Sequence, residues 1–185
     1  MPAPELSEWM RSTFIDEGGP LENVDHRHLT FATVDALWTT CANERAMRRI
    51  VGTCEMGAAR GSKWQKARAD QQIVEWFGRV PDFLITIDAA FAMTVDDPTF
   101  CAVIEHELYH AGQELDQYGQ PKFHRDGSPC FKLRGHDCEE FVGVVARYGS
   151  RAAGVEDLVA AANGRPTVAL ADIDGVCGTC LLKAA

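Results

Sequence analysis

Apolar positions along the chain fall into blocks whose spacing changes from one segment to the next. Between Thr30 and Arg49, Phe31, Val34, Leu37, Trp38 and Cys41 recur at intervals of three and four, which predicts a helix. "RIVGTCEM" then reads as a short strand. "KWQKARADQQIVEWFGRV" returns to helical spacing through Trp64, Ala67, Ile73, Trp76 and Phe77, until Pro81 stops it. "DFLITIDAAFAM" alternates as a strand does. Asp97 as N-cap and Pro98 at the first helical position open the next helix, which carries "FCAVIEHELYHAGQ". Beyond Gly112, "QYGQPKFHRDGSPCFKLRG" is too long for a bare connection and predicts a functional loop or a β-ribbon. "HDCEEFVGVVARYG" reads as a helix ended by Gly149, and "GVEDLVAAAN" as a last short one. The first thirty residues are polar and turn-rich, a loop after a short helix. Together these imply an α+β fold: an N-terminal extension over 1–29, one domain over 30–150, and a helix and tail over 151–185.

The segment His106-Glu107-Leu108-Tyr109-His110 carries the chemistry. On a helix, residues four apart lie about 40° from each other on one face and one turn apart. His106 and His110 can therefore reach a single ion. Zinc takes imidazole nitrogen readily, and a catalytic zinc keeps three protein ligands and one open position. Glu107 lies roughly 80° from the mean direction of the two histidines. That is too far round for an easy third ligand, yet close enough to serve as general base for an attacking water. Ile104, Leu108 and Ala111 cluster on the opposite side, so one face is core and the other carries the chemistry.

The third ligand is open among several residues. His136, where the next helix is expected to begin, is favoured over Glu139 or Glu140 on the same stretch and over His124 in the preceding loop. Asp116, six residues past His110, is set aside, because Gln113 stands where that layout needs glycine and all five methionines precede the motif. Asp137 could orient an imidazole or cap the helix. Arg134, Arg147 and Tyr148 could meet substrate, although an ordinary packing or surface role is the better reading for each, and Tyr109 has no assigned role.

Composition narrows the picture. The chain has 185 residues, 46% hydrophobic and 24% charged, with a formal charge of −9 that disfavours nucleic-acid or acidic-membrane partners. A basic stretch from Arg48 to Arg68 softens that exclusion and reads as a solvated helix and loop. The N-terminus lacks an apolar leader segment and no run is long enough to span a bilayer. Seven cysteines without a regular framework suit a cytoplasmic chain with reduced thiols. Cys177 and Cys180, in "CGTC", are half of a structural zinc signature.

"VIEHELYHAGQELDQYGQPKF" followed by "RGHDCEEFVGVVARYG" resembles the phage metallopeptidases, small zincin-like proteins of phage and prophage genomes. More distantly, a histidine opening an "EEF" segment after the motif is similar to the SprT-like metalloproteases. The resemblance implies a compact zincin-like domain, with a small sheet packed on the motif helix. It also implies Zn2+ on His106, His110 and His136, Glu107 as catalytic base, and a protein or peptide substrate. On this view the peptide would lie as an added strand along "FLITIDAAFA". The competing function is a catalytically silent, metal-stabilised binding module, against which an intact Glu107 speaks. Peptide deformylase shares only the motif helix, since its "EGCLS"-type cysteine segment has no counterpart in this chain.

Overall fold

The computed structural model describes residues 1–45, 47–151 and 154–168, so the Cys177 and Cys180 pair lies outside the described residues. In chain order, Pro4–Met10 (α1) passes into a wider turn at Arg11–Ile15 and a 3-10 helix at Val24–Phe31. The strands Val34–Thr39 (β1), Asn43–Arg45 (β2), Arg48–Ile50 (β3) and Gly52–Met56 (β4) follow. Then come Lys63–Phe77 (α2), Phe83–Asp88 (β5), Ala89–Ala92 (α3) and Asp97–His110 (α4). The strands Ala111–Gln113 (β6) and Phe131–Leu133 (β7) form a two-stranded ribbon, and Val142–Tyr148 (α5) and Glu156–Asn163 (α6) complete the series. Among the described residues, those up to Arg134 belong to one unit and those from Gly135 to Val168 to a second. The class is α+β, as the sequence implies.

The central sheet has the order β1-β5-β4, with β5 parallel to β1 and antiparallel to β4. Phe83, Ile85 and Ile87 alternate along β5 and are completely buried against one core. Ile104 and Leu108 of α4 enter that core with no exposed surface, together with Leu6 and Met10 of α1 and Phe14 beyond it. Each such side chain contributes roughly 1.5–3 kcal/mol by leaving water. On the other face, Leu84 meets Ile73 and Trp76 of α2 around a cavity of about 830 Å³.

Three expectations change. The segment expected as a helix from Thr30 to Arg49 instead carries the strands β1 and β2 and the start of β3. Val34, Asp35 and Ala36 are all buried, which is the continuous run of a strand covered on both faces. Asp35 tolerates this because Arg79 Nη2 donates to its Oδ2 at 2.9 Å. The strand expected through Met93 stops at Asp88, whose Oδ1 accepts from the Ala90 amide at 2.8 Å and opens α3. Finally, α5 begins at Val142 rather than His136. The Phe141 amide is taken by the Glu140 carboxylate, Oε1 at 2.7 Å, a local bond that competes with helix formation. Asp137 therefore does not cap α5.

Candidate metal centre

Helix α4 is capped by Asp96, one residue before the expected cap, whose side chain accepts from the Thr99 amide at 3.0 Å. It ends at His110 and turns directly into β6. Beyond the end of the ribbon, Arg134 donates its amide to the His110 carbonyl at 2.8 Å. The Arg134 carbonyl in turn lies 2.7 Å from His110 Nδ1. A carbonyl only accepts, so Nδ1 carries the proton and the lone pair falls on Nε2. Metal-ligating histidines are commonly fixed in this way. The His106 ring stands 5.0 Å from that of His110, centre to centre, at 75°. His110 is buried and His106 half-buried.

Glu107 is fully buried on the same helix. Gly52, at the start of β4, lets the backbone pass close to it. A Cβ there would stand 3.0 Å from Glu107 Oε1 and 3.1 Å from its Cγ. The edge strand of the sheet thus shapes the seat of the carboxylate.

A second layer surrounds the end of α4, and it comes from the segment the sequence reading left as a loop. The Tyr109 hydroxyl donates to Asp25 Oδ2 at 3.0 Å and accepts from Asn23 Nδ2 at 2.8 Å. Both ring nitrogens of His28 face carbonyls, that of Asp25 at 3.0 Å and that of Ala111 at 2.7 Å. His26 is completely buried with its ring 4.7 Å from that of Tyr109. Apolar spacing gives no sign of these contacts. The available signal was the density of Asn, Asp and His in "ENVDHRH".

Burial holds the His26 imidazole well below its ordinary 6.5, at about 4. The charges of His28 and Arg134 push the same way, and Asp25 opposes. The Glu105 carboxylate stands 3.9 Å from Nε2, beyond hydrogen-bond reach. Because the folded value is depressed, the unfolded chain binds the extra proton as pH falls from 6.5 towards 4. Stability from this group is therefore complete above 6.5 and is lost across that window, by roughly 3 kcal/mol. Urea titrations at pH 7 and pH 4 should show this component in the wild type and not in His26→Phe.

The other candidates close turns or lie exposed. Asp116 Oδ1 accepts from the amides of Tyr118 and Gln120, so it closes a turn. His124 is exposed in the next turn, where its amide bonds the Ser128 carbonyl. In the second unit, His136, Asp137, Glu139 and Glu140 are exposed, and the Arg147 guanidinium lies over the Tyr148 ring at 5.6 Å. Nor can Phe83–Asp88 accept a peptide strand, because β1 and β4 occupy both of its edges.

Two imidazoles one turn apart on α4 and a buried carboxylate between them in the chain, within an α+β fold, are the makings of a metal-dependent hydrolase. Residues 7–163 match the family described as putative phage metallopeptidase, and the chain belongs to that family. No curated protein and no solved structure matches it. The family's description implies a metal-dependent peptidase, an enzyme that acts on proteins or peptides, and His106 and His110 of the first unit offer imidazoles for a metal ion. No described helix is long and apolar enough to cross a membrane.

Proposed function

We propose that the protein is a zinc-dependent peptidase in which His106, His110 and His136 hold the metal and Glu107 is the general base. The observation that carries this reading is the His110 ring, pinned through Nδ1 so that Nε2 is the ligand atom, one turn from His106 and beside buried Glu107. His136 follows the pinning residue Arg134 by two positions, and two residues of chain span at most about 7 Å. The Glu140 carboxylate, by contrast, bonds the amide of the next residue.

Zinc, when bound, supplies a Lewis acid that polarises the scissile carbonyl and acidifies water. Glu107 accepts a proton from the attacking water as the water oxygen bonds to the carbonyl carbon. It then returns that proton to the amide nitrogen as the C–N bond breaks, leaving a carboxylic acid and an amine, and the second proton of the water passes from the acid to the amine to give carboxylate and ammonium. The buried seat of Glu107 keeps its carboxylate in one place throughout.

Metal analysis of the purified chain and two variants tests the ligand set. His136→Ala should lose its zinc and its peptide hydrolysis, and Glu140→Ala should keep both. The opposite result would transfer the third ligand to Glu140. Gly52→Ala provides a separate test of the base. The added methyl presses on the Glu107 carboxylate and should lower kcat on the order of ten- to a hundredfold with zinc retained. Unchanged kcat would show that Glu107 needs no fixed position.

A further inference from the structure

A cavity of about 360 Å³ lies within the first unit at the start of α4, the end away from His110. Trp9 of α1, Trp38 of β1 and Phe100 of α4 wall it, with Glu5 and Asp97 beside them. No described residue of the lining is a cation. Phe100 stands about 100° around α4 from the mean direction of His106 and His110. The cavity therefore belongs to a different side of the helix from the metal centre.

Its rings are held in place. Completely buried Phe14 meets the Trp9 ring edge-on at 5.6 Å, and Phe100 lies 5.6 Å from Trp9 and 6.4 Å from Trp38, centre to centre. The Trp38 indole N–H donates to Glu5 Oε1 at 3.1 Å, which ties that ring to a carboxylate. The walls are thus set before a ligand arrives, and all three rings are only half-buried, within a ligand's reach. An aromatic face attracts a cation, most strongly on an indole. The two carboxylates point to the same ligand. Glu5 and Asp97 are exposed, and among the described residues no ion pair engages either. Glu5 Oε2 and both Asp97 side-chain oxygens have no hydrogen-bond partner there. The Met1 ammonium is spent on the Trp38 carbonyl, at 2.6 Å, and is not part of the lining. An anion would meet two like charges here, and a purely apolar group would leave both carboxylates unused. A cation on an alkyl stem satisfies the two features together.

We propose that this cavity docks a lysine or arginine side chain of a protein partner, its stem against Trp9, Trp38 and Phe100 and its charge beside Glu5 and Asp97. The site shares no residue with the metal centre and does not depend on the peptidase reading. The net charge of −9 adds a long-range attraction for a basic partner.

The test uses the full chain at physiological ionic strength, with zinc and again with a chelator. It is titrated with acetyl-Ala-Lys-Ala-amide, acetyl-Ala-Arg-Ala-amide and the neutral acetyl-Ala-norleucine-Ala-amide. The indole N–H resonances of Trp9 and Trp38, assigned with Trp9→Phe and Trp38→Phe, are followed by NMR. At least one cationic peptide should bind about tenfold more tightly than the norleucine peptide and shift both indole signals. The tighter of the two cationic arms identifies the side chain the cavity takes. Glu5→Gln combined with Asp97→Asn, both at exposed positions, should bring all three peptides to parity. Glu17→Gln combined with Glu156→Gln removes the same charge at exposed positions elsewhere and should leave the preference intact. Equal affinity for the norleucine peptide in wild type, or indole signals indifferent to both cations, would overturn the proposal without reference to any variant. So would a preference that survives the first pair of substitutions, falls equally with the second, or vanishes with the chelator, which would place the binding at the metal centre.

Discussion

Replacing Glu107 by glutamine is expected to lower kcat for peptide hydrolysis by roughly 10²- to 10⁴-fold, the usual share of a general base. Zinc content should not change. Glutamine fills the same space beneath Gly52 and keeps the outline of the side chain, but an amide cannot take a proton from water. The side chain is completely buried, so exchanging a carboxylate for a neutral amide removes a buried charge rather than adding one. The variant should consequently melt at or above the wild-type temperature. That combination separates chemistry from folding: inactive, zinc-replete and at least as stable. Full activity in the variant would move the base to another residue, and lost zinc would make Glu107 a ligand.

How much of this was legible beforehand depends on how each element earns its burial. Helix α4 could be read because its apolar side, Ile104 and Leu108, faces a core while its histidines follow a different stripe, so spacing and chemistry agree. Helix α2 was legible for a similar reason: its periodic run begins at a Ser62–Gln65 capping box and ends at left-handed Gly78. Strand β1 was not. Three consecutive buried residues carry no alternation, and Phe31, Leu37 and Trp38 happen to mimic a helical stripe. The N-terminal segment, read as a short helix followed by a loop, was legible only in part. Leu6, Met10 and Phe14 stand four apart and are buried, but the polar residues between them and the glycines after them masked the stripe.

The site divides along the same line. His106, Glu107 and His110 share one helix, so their mutual placement follows from helical geometry alone. What fixes the His110 tautomer is a main-chain carbonyl at Arg134, 24 residues on, and a carbonyl leaves no mark in a sequence. Gly52 is equally silent. Its role is the absence of a side chain opposite Glu107, visible only once β4 is beside α4. Tyr109 could be placed on the helix wheel, but its partners Asn23 and Asp25 lie more than eighty positions earlier.

The second large effect should follow removal of the metal, and the two helix histidines separate its causes. A ligand that binds only the folded chain stabilises it by about 4 kcal/mol when its free concentration is a thousandfold above Kd. For a chain of this length that corresponds to a Tm shift on the order of 10 °C, so a chelator should lower the wild-type Tm by about that much. His106→Ala should abolish zinc binding, hydrolysis and the chelator effect together, and its Tm should match that of chelated wild type, because a half-buried ring contributes little to the core. His110→Ala should lose the same functions and fall further. It leaves a cavity at a buried site and deprives the Arg134 carbonyl of its donor, a desolvation cost of roughly 1–3 kcal/mol. The gap between the two variants, measured with chelator present, therefore reports the structural work of the His110 ring free of the metal. Equal melting temperatures there would mean that the Arg134 bond does not hold the ring, and the fixed tautomer on which the ligand assignment rests would fall with it.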